Sequence, residues 1–270
     1  MLAPGQRLEI LADFSAYAVG ASVVLKSLPF AGGGGMMGGP RQGTGMDLLR
    51  FYVDSAASGN ASIPTVLQPV NALTPTQARR TRVFNLAMSG MVHTINGRAF
   101  DMQQTDFRVP FGDVEIWEYR NTGTEPHPMH VHAALCQVLS RSGGVSPPPE
   151  DAGWKDTVLV NPGETVRVLT RFDTHPGVFV HHCHNLDHED SGMMQNFEVL
   201  PPPRLAIRRE GANVHLSWSE SDADWRLESS PEAEGALWER VGDPPAVVEG
   251  RWTVNVAEAA GRRFFRLVRQ

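Results

Sequence analysis

The sequence predicts an all-β protein, and three observations support that prediction. Glycine and proline, which favour turns, supply 26 and 20 of the 270 residues. Valine, threonine and phenylalanine, which favour strands, recur in short runs, and hydrophobic residues form 41% of the chain, enough for buried cores. Between residues 79 and 200, eight strand-like segments alternate with turn signals, which is typical of a β-sandwich or β-barrel. The longest segment, residues 127–141, is predicted as one strand.

The N-terminal part, residues 1–66, contains strands without making a complete domain. Three segments have the pattern of strands: residues 8–14, 22–28 and 48–55. Three strands leave apolar faces and an edge uncovered. We therefore interpret residues 1–66 as the remnant of a domain whose other strands are missing.

Two proline-rich stretches mark the remaining boundaries. A linker, residues 67–78, with one turn of helix near Pro75, leads into the segment 79–200. A second boundary begins at Pro201. The last part, residues 201–270, has the pattern of short strands with tryptophans as core candidates, and it resembles small fibronectin-like β-modules.

Charge and hydropathy argue against some partners. The formal net charge of −6 gives no electrostatic case for binding nucleic acid or an anionic membrane. No apolar run approaches the length of a membrane span. The residues after Met1 lack the charged and apolar regions of a signal peptide, so none is expected in this chain.

Potential metal ligands are concentrated in two short segments. The sequence HPMHVH occupies residues 127–132, and HHCHNLDHEDSGMM occupies residues 181–194. Together they hold seven of the ten histidines and one of the two cysteines. Imidazole and thiolate are the ligands that suit copper, zinc and iron, so a metal site is the leading hypothesis.

The spacing within these segments predicts two metal sites that lie back to back. Side chains alternate between the two faces of a strand, so Cys183 and His127 point to one face. The other face is predicted to carry four histidines: His130, His132, His182 and His184. A loop after the second strand could bring His188 and Met193 back to the sulfur of Cys183. Two histidines, one cysteine and a weak axial methionine form the ligand set of a blue-copper electron-transfer centre.

These motifs resemble the C-terminal copper-binding domain of the multicopper oxidases, especially bacterial laccases and cuprous oxidases. The segments INGRAFDM, at residues 95–102, and GWKDTVLVNPGETVRVLTRF, at residues 153–172, are similar to that family as well. The resemblance covers roughly residues 1–200. It implies a cupredoxin-like Greek-key β-barrel at residues 79–200 and part of a preceding cupredoxin domain at residues 1–66.

The resemblance also implies a role for each ligand. It makes type 1 copper ligands of His127, Cys183, His188 and Met193. It assigns His130 to type 2 copper and assigns His132, His182 and His184 to the type 3 copper pair. An acidic residue at the position of Glu189 is associated with proton supply to the cluster, although a solvated loop charge is the alternative. It further implies a periplasmic or secreted location.

The activity implied is the oxidation of phenols, related organic molecules or Cu(I) at type 1 copper, one electron at a time. Those electrons would then reduce dioxygen to water at a trinuclear copper cluster. The family supplies four more cluster histidines from two His-x-His motifs in an N-terminal cupredoxin domain, whereas the sequence has no such motif beyond those at His130 and His182. We therefore expect the C-terminal part of a laccase-like enzyme, unable to reduce dioxygen alone. The alternatives are a stand-alone blue-copper carrier and a partner polypeptide that supplies the N-terminal half.

Several other candidates receive no role in this interpretation. Cys136 is predicted to be a small buried hydrophobic residue. Four histidines are predicted to be structural or solvated: His93, His175, His181 and His215. His181 in particular is out of phase with the face that carries His182.

Overall fold

The computed structural model describes most of the chain. The described residues are 2–29, 43–57, 62, 64–65, 69–142, 148–219, 225–234, 237–242, 244–257 and 262–269. By contacts, the chain separates into two compact units, one of Met1–Phe107 with Gly112–Glu198 and one of Arg108–Phe111 with Val199–Gln270. The four-part division drawn from the sequence stays a prediction.

The N-terminal part of the first unit contains one antiparallel strand pair. It consists of β1 (Ser22–Ser27) and β2 (Met46–Tyr52), close to two of the predicted strands. The strand predicted at residues 8–14 is wrong, because these residues have no strand conformation. Their apolar side chains Leu8 and Ile10 are exposed, which shows that apolar alternation without a pairing partner does not make a strand.

Ten strands follow a single helical turn at Pro75–Gln77, where one was predicted. They are β3 (Ala78–Ser89), β4 (Val92–Ile95), β5 (Phe107–Pro110), β6 (Val114–Asn121), β7 (His127–Val131), β8 (Leu135–Arg141), β9 (Thr157–Val160), β10 (Thr165–Arg171), β11 (Gly177–Cys183) and β12 (Met194–Leu200). One sheet has the order β4-β3-β6-β10-β8 and the other the order β5-β12-β11-β7-β9. Within the first sheet β3 and β6 run parallel.

An aromatic core joins the two five-stranded sheets. Trp117 of β6 is fully buried and contacts Phe84 of β3 at 5.0 Å and Phe197 of β12 at 5.7 Å between ring centroids. His181 of β11 lies in the same core, 4.6 Å from the ring of Phe84. This core fixes the position of β11, the strand that carries Cys183, against the opposite sheet.

The prediction of one strand over residues 127–141 is wrong. The segment forms β7 and β8, which belong to different sheets. The chain turns at Ala133, whose φ of 53° is left-handed and interrupts the strand ladder. Because Ala133 is neither glycine nor asparagine, the usual sequence signal for this turn is absent.

The C-terminal unit contains seven further short strands and no α-helix among its described residues. They are β13 (Ala206–Glu210), β14 (Asn213–Ser219), β15 (Trp225–Ser230), β16 (Glu239–Arg240), β17 (Ala246–Val248), β18 (Arg251–Ala257) and β19 (Phe264–Arg269). They form two sheets with the orders β13-β14-β18-β17 and β16-β15-β19. The buried cluster contains Trp218, and Trp252 packs against it, as expected of core candidates. Trp238 instead lies under the guanidinium of Arg266 at 4.2 Å.

Across both units, the described part of the chain contains no helix of the length and apolarity that a membrane span requires.

Candidate metal centre

Two paired strands bring the ligand-rich segments together. In the antiparallel pairing of β11 with β7, Cys183 lies opposite Met129 and His182 lies opposite His130. A short helix, α1 (Leu186–Asp190), follows β11, and the side chain of Asn185 caps it by accepting a hydrogen bond from the N–H of Asp187. This turn carries His188 back toward the sulfur of Cys183.

The side chains of His127, Cys183 and His188 meet in the buried interior, and together with Met193 they are called the Cys183 site. The sulfur of Cys183 lies 3.5 Å from Nδ1 of His188 and 3.7 Å from Nδ1 of His127. The two Nδ1 atoms are 3.1 Å apart. Atoms with these separations can share one metal ion at roughly 2.0–2.3 Å from each, the length of zinc bonds to imidazole and thiolate.

Met193 is attached to the same pocket through its main chain. The N–H of Cys183 donates to the carbonyl of Met193 at 3.1 Å, and the N–H of Met193 donates to the carbonyl of His188 at 3.0 Å. Its side chain is completely buried, and the two histidines are 2% exposed. Three of the predicted type 1 ligands therefore lie together in a buried environment, and main-chain hydrogen bonds hold Met193 next to them.

Burial sets the protonation of the Cys183 site in the absence of a metal. Burial, with the neighbouring charges of His188 and His93, lowers the pKa of His127 to about 3. Burial likewise raises the pKa of the Cys183 thiol to about 12. The imidazoles are therefore neutral and able to bind a metal, whereas the thiol must release a proton as the metal binds.

The second group lies on the opposite face of β11 and is called the four-histidine face (His130, His132, His182 and His184). Nε2 of His132 lies 3.1 Å from Nε2 of His182. The ring of His130 lies 4.9 Å from that of His132 and 5.5 Å from that of His184, between centroids. Nδ1 of His184 is buried and has no hydrogen-bond partner among the described residues. Ring nitrogens of His130, His132 and His182 lie within 4.8 Å of one another, a group that could hold a metal ion and that does not include His184.

His130 and His182 are each oriented by a second hydrogen bond. Nδ1 of His130 lies 3.0 Å from the carbonyl oxygen of Asp156 and 3.0 Å from the hydroxyl of Thr157. Nδ1 of His182 lies 3.0 Å from the carbonyl oxygen of Cys183. Contacts of this kind fix the ring tautomer and leave Nε2 for a metal.

Glu189 lies beside the four-histidine face. Its carboxylate is 3.4 Å from Nδ1 of His182, and its side chain is 29% exposed. The carboxylate thus contacts both a predicted type 3 ligand and solvent. A group so placed could carry a proton from water to this face.

The N-terminal segment contributes contacts that the sequence pattern does not reveal. The guanidinium of Arg7 donates two hydrogen bonds of 2.9 Å to the carboxylate of Asp156. Gly5 packs so closely on the four-histidine face that a Cβ atom there would lie 2.7 Å from the ring of His184. A local sequence pattern cannot predict these contacts, because the residues that form them lie 149 positions or more apart in the chain.

Two further residues lie beside His188: His93, which the sequence predicts to be structural or solvated, and Glu125, which receives no role from the sequence. The ring of His93 stacks on that of His188 with centroids 3.7 Å apart. The Glu125 carboxylate lies 3.0 Å from Nε2 of His188.

Two other candidates, His181 and Cys136, lie outside both groups of ligands. His181 lies in the aromatic core, where burial lowers its pKa to about 3. Cys136 is buried, and burial raises its pKa to about 12.

The comparison with known sequences identifies related oxidases. A family model described as multicopper oxidase matches residues 68–203, about half of the chain. The chain is 34% identical to a laccase of Haloferax volcanii over 85% of this chain and 40% of that protein. It is 38% identical to a bilirubin oxidase of Albifimbria verrucaria over 73% of this chain and 36% of that protein. The chain thus spans about two fifths of the length of these relatives.

Comparison with solved structures also finds multicopper oxidases and laccases. The multicopper oxidase McoA of Aquifex aeolicus, in its 2F4 variant, matches 70% of this chain and 43% of its own with a TM-score of 0.60 and 34% identity. A laccase from Pediococcus acidilactici matches 70% of this chain and 38% of its own with a TM-score of 0.57 and 31% identity. These similarities confirm the predicted cupredoxin-like fold. Because the family model contains both histidine-rich segments and half of the chain, the protein belongs to the multicopper oxidase family, in which copper is the expected metal.

Proposed function

We propose that the chain is the C-terminal part of a laccase-like multicopper oxidase, with type 1 copper in the Cys183 site. The proposal rests on one observation: Sγ of Cys183 and the Nδ1 atoms of His127 and His188 lie close together in the buried interior. A thiolate and two imidazoles, with Met193 as weak axial ligand, suit copper in electron transfer. When bound, copper supplies one-electron oxidation and reduction at this point.

The residues of the chain would hold that centre and connect it to the other face. The closed pocket excludes water and limits rearrangement between oxidation states. Cys183 is joined through the backbone directly to His182 and His184, so an electron path of few covalent bonds links the two faces. This connection exists because side chains alternate between the two faces of β11, so that neighbouring residues in the chain belong to different sites.

The four-histidine face is proposed as one half of the site that reduces dioxygen. His130 would bind type 2 copper, and His132, His182 and His184 would bind the type 3 pair. Three copper ions need more imidazoles than this face offers, so an N-terminal cupredoxin part must supply four more. Glu189 would deliver protons, which the conversion of dioxygen to water consumes; its contact with His182 at 3.4 Å supports this role.

The proposed electron donors are phenols, related small organic molecules or Cu(I). This substrate range is the one that the resemblance to laccases implies. We also propose a periplasmic or secreted location for the complete enzyme. None of the relatives named above is a stand-alone blue-copper carrier, so the oxidase is the function we favour.

The test is to measure bound copper, visible absorption and oxygen uptake together. The purified chain should bind one copper tightly, turn blue and consume no oxygen with a phenolic donor. Oxygen uptake should appear when an N-terminal cupredoxin half that carries two His-x-His motifs is supplied. A chain that binds copper without the thiolate absorption band would overturn the type 1 assignment. Turnover by the chain alone would overturn the proposed division of the cluster.

A further inference from the structure

The outer edge of His188 is occupied by a carboxylate. While Nδ1 of His188 faces Cys183, its Nε2 lies 3.0 Å from Oε2 of Glu125. The imidazole is 2% exposed, and the Glu125 side chain is 26% exposed. Glu125 therefore lies between the buried ring of His188 and solvent.

The same carboxylate oxygen contacts a second imidazole. Nε2 of His93 lies 3.1 Å from Oε2 of Glu125. The His93 ring stacks on His188 at 3.7 Å with an angle of 24° between the ring planes. Nδ1 of His93 lies 3.4 Å from the hydroxyl of Ser191, which donates to the carbonyl of His188 at 2.9 Å. His93 thus holds the carboxylate in place and covers one face of His188.

The chemistry of the carboxylate decides the tautomer of His188. An ionised carboxylate only accepts hydrogen bonds, so Nε2 of His188 must carry the proton and Nδ1 must present its lone pair to the pocket. The side-chain nitrogen of Asn185 lies 3.3 Å from the same Nε2 and would favour the opposite tautomer. The contact with Glu125 is shorter and involves a formal charge, so it should prevail.

We propose that Glu125 is a positioning residue of the Cys183 site: it orients His188 toward the metal and places a negative charge beside that ligand. This inference rests on the copper site proposed above. A negative charge beside a ligand stabilises the more positive, oxidised metal ion. Glu125 should therefore lower the reduction potential of the bound copper.

The experiment compares three variants of the full chain. Glu125→Gln keeps an acceptor at the same place and removes the charge, so the blue absorption should remain and the reduction potential should shift to a more positive value. Glu125→Ala removes both, and copper affinity should fall by about 10- to 100-fold. Asp190→Asn is the matched control, since Asp190 is an exposed carboxylate two residues after His188, and its potential and affinity should match those of the unmodified chain.

A second measurement needs no copper. Nitrogen NMR of the metal-free chain should show His188 protonated at Nε2, and Glu125→Ala should show both tautomers. Unchanged potential, affinity and tautomer in both Glu125 variants would overturn the inference while leaving the copper site intact. If the unmodified chain bound no blue copper, the proposed function would fail, and the tautomer result alone would decide the role of Glu125.

Discussion

The Cys183 site and the four-histidine face are built on the same strand, yet they differ in how much of each this chain provides. His127, Cys183 and His188 are at most 2% exposed, and these three side chains come from β7, β11 and α1. On the opposite face His132 is exposed, and His130 and His184 are half-buried. The difference fits our proposal that one strand carries two metal sites, of which only the buried one is complete within this chain.

The largest expected effect is the loss of the Cys183 site. Replacing Cys183 with serine removes the thiolate, so the blue absorption should disappear and tight binding of one copper should be lost. The measurement is visible absorption with metal analysis. Cys136→Ala is the control, since Cys136 is a buried thiol outside both groups of ligands and its loss should leave the spectrum unchanged. Persisting blue colour in Cys183→Ser would contradict the assignment.

The opposite face should respond independently. The double variant His132→Ala and His182→Ala removes the pair whose Nε2 atoms lie 3.1 Å apart. We expect the blue absorption to remain, while oxygen uptake in the presence of the N-terminal half falls to background. If the blue absorption were lost as well, the two faces would not be separable. Oxygen electrode traces recorded beside the spectra distinguish these outcomes.

A smaller effect is expected where the N-terminal segment packs on the four-histidine face. In Gly5→Ala the new Cβ would lie 2.7 Å from His184, in a backbone with φ of +78°. We expect a loss of at least about 1 kcal/mol in the free energy of unfolding. Gly20→Ala is the matched control, because φ is +92° there and nothing lies within 4 Å. Urea unfolding of the two variants isolates the contact, and equal losses would mean that it contributes nothing.

The smallest expected effect concerns the thiol outside both sites. The pKa of Cys136 is raised to about 12 by burial, so at pH 9 only about a thousandth of it is thiolate in the folded state. A raised pKa favours folding below the ordinary thiol value near pH 9, and that contribution is lost as the pH rises toward 12. Mass spectrometry after iodoacetamide treatment at pH 8 should therefore find Cys136 unmodified until the chain is unfolded. Rapid labelling of the folded chain would show that the pocket around Cys136 opens.

Local periodicity accounts for the part of the site that the sequence predicted. Alternation along β11 separates Cys183 from His182 and His184 without any knowledge of the fold. Glu125 and Asp156 received no role in the site from the sequence, and His93 was predicted to be structural or solvated, because their contacts with the histidines join different strands and loops.

The fold shows the same limit. Most strands between residues 79 and 200 carry an apolar pattern that can be read locally, but the division of residues 127–141 into β7 and β8 depends on Ala133. No preference of alanine for a left-handed conformation could have predicted it. Residues 8–14 have the apolar pattern of a strand but form none, because a strand also needs a partner to pair with.

The pairing of His182 with His130 and of Cys183 with Met129 has a consequence for how this segment can change in length. Inserting or deleting one residue within HHCH would move every later side chain to the other face and exchange sulfur for imidazole in both groups at once. A change of two residues would keep the faces and shift only the register. Natural variation in length should therefore be excluded from these four positions and confined to the turns on either side.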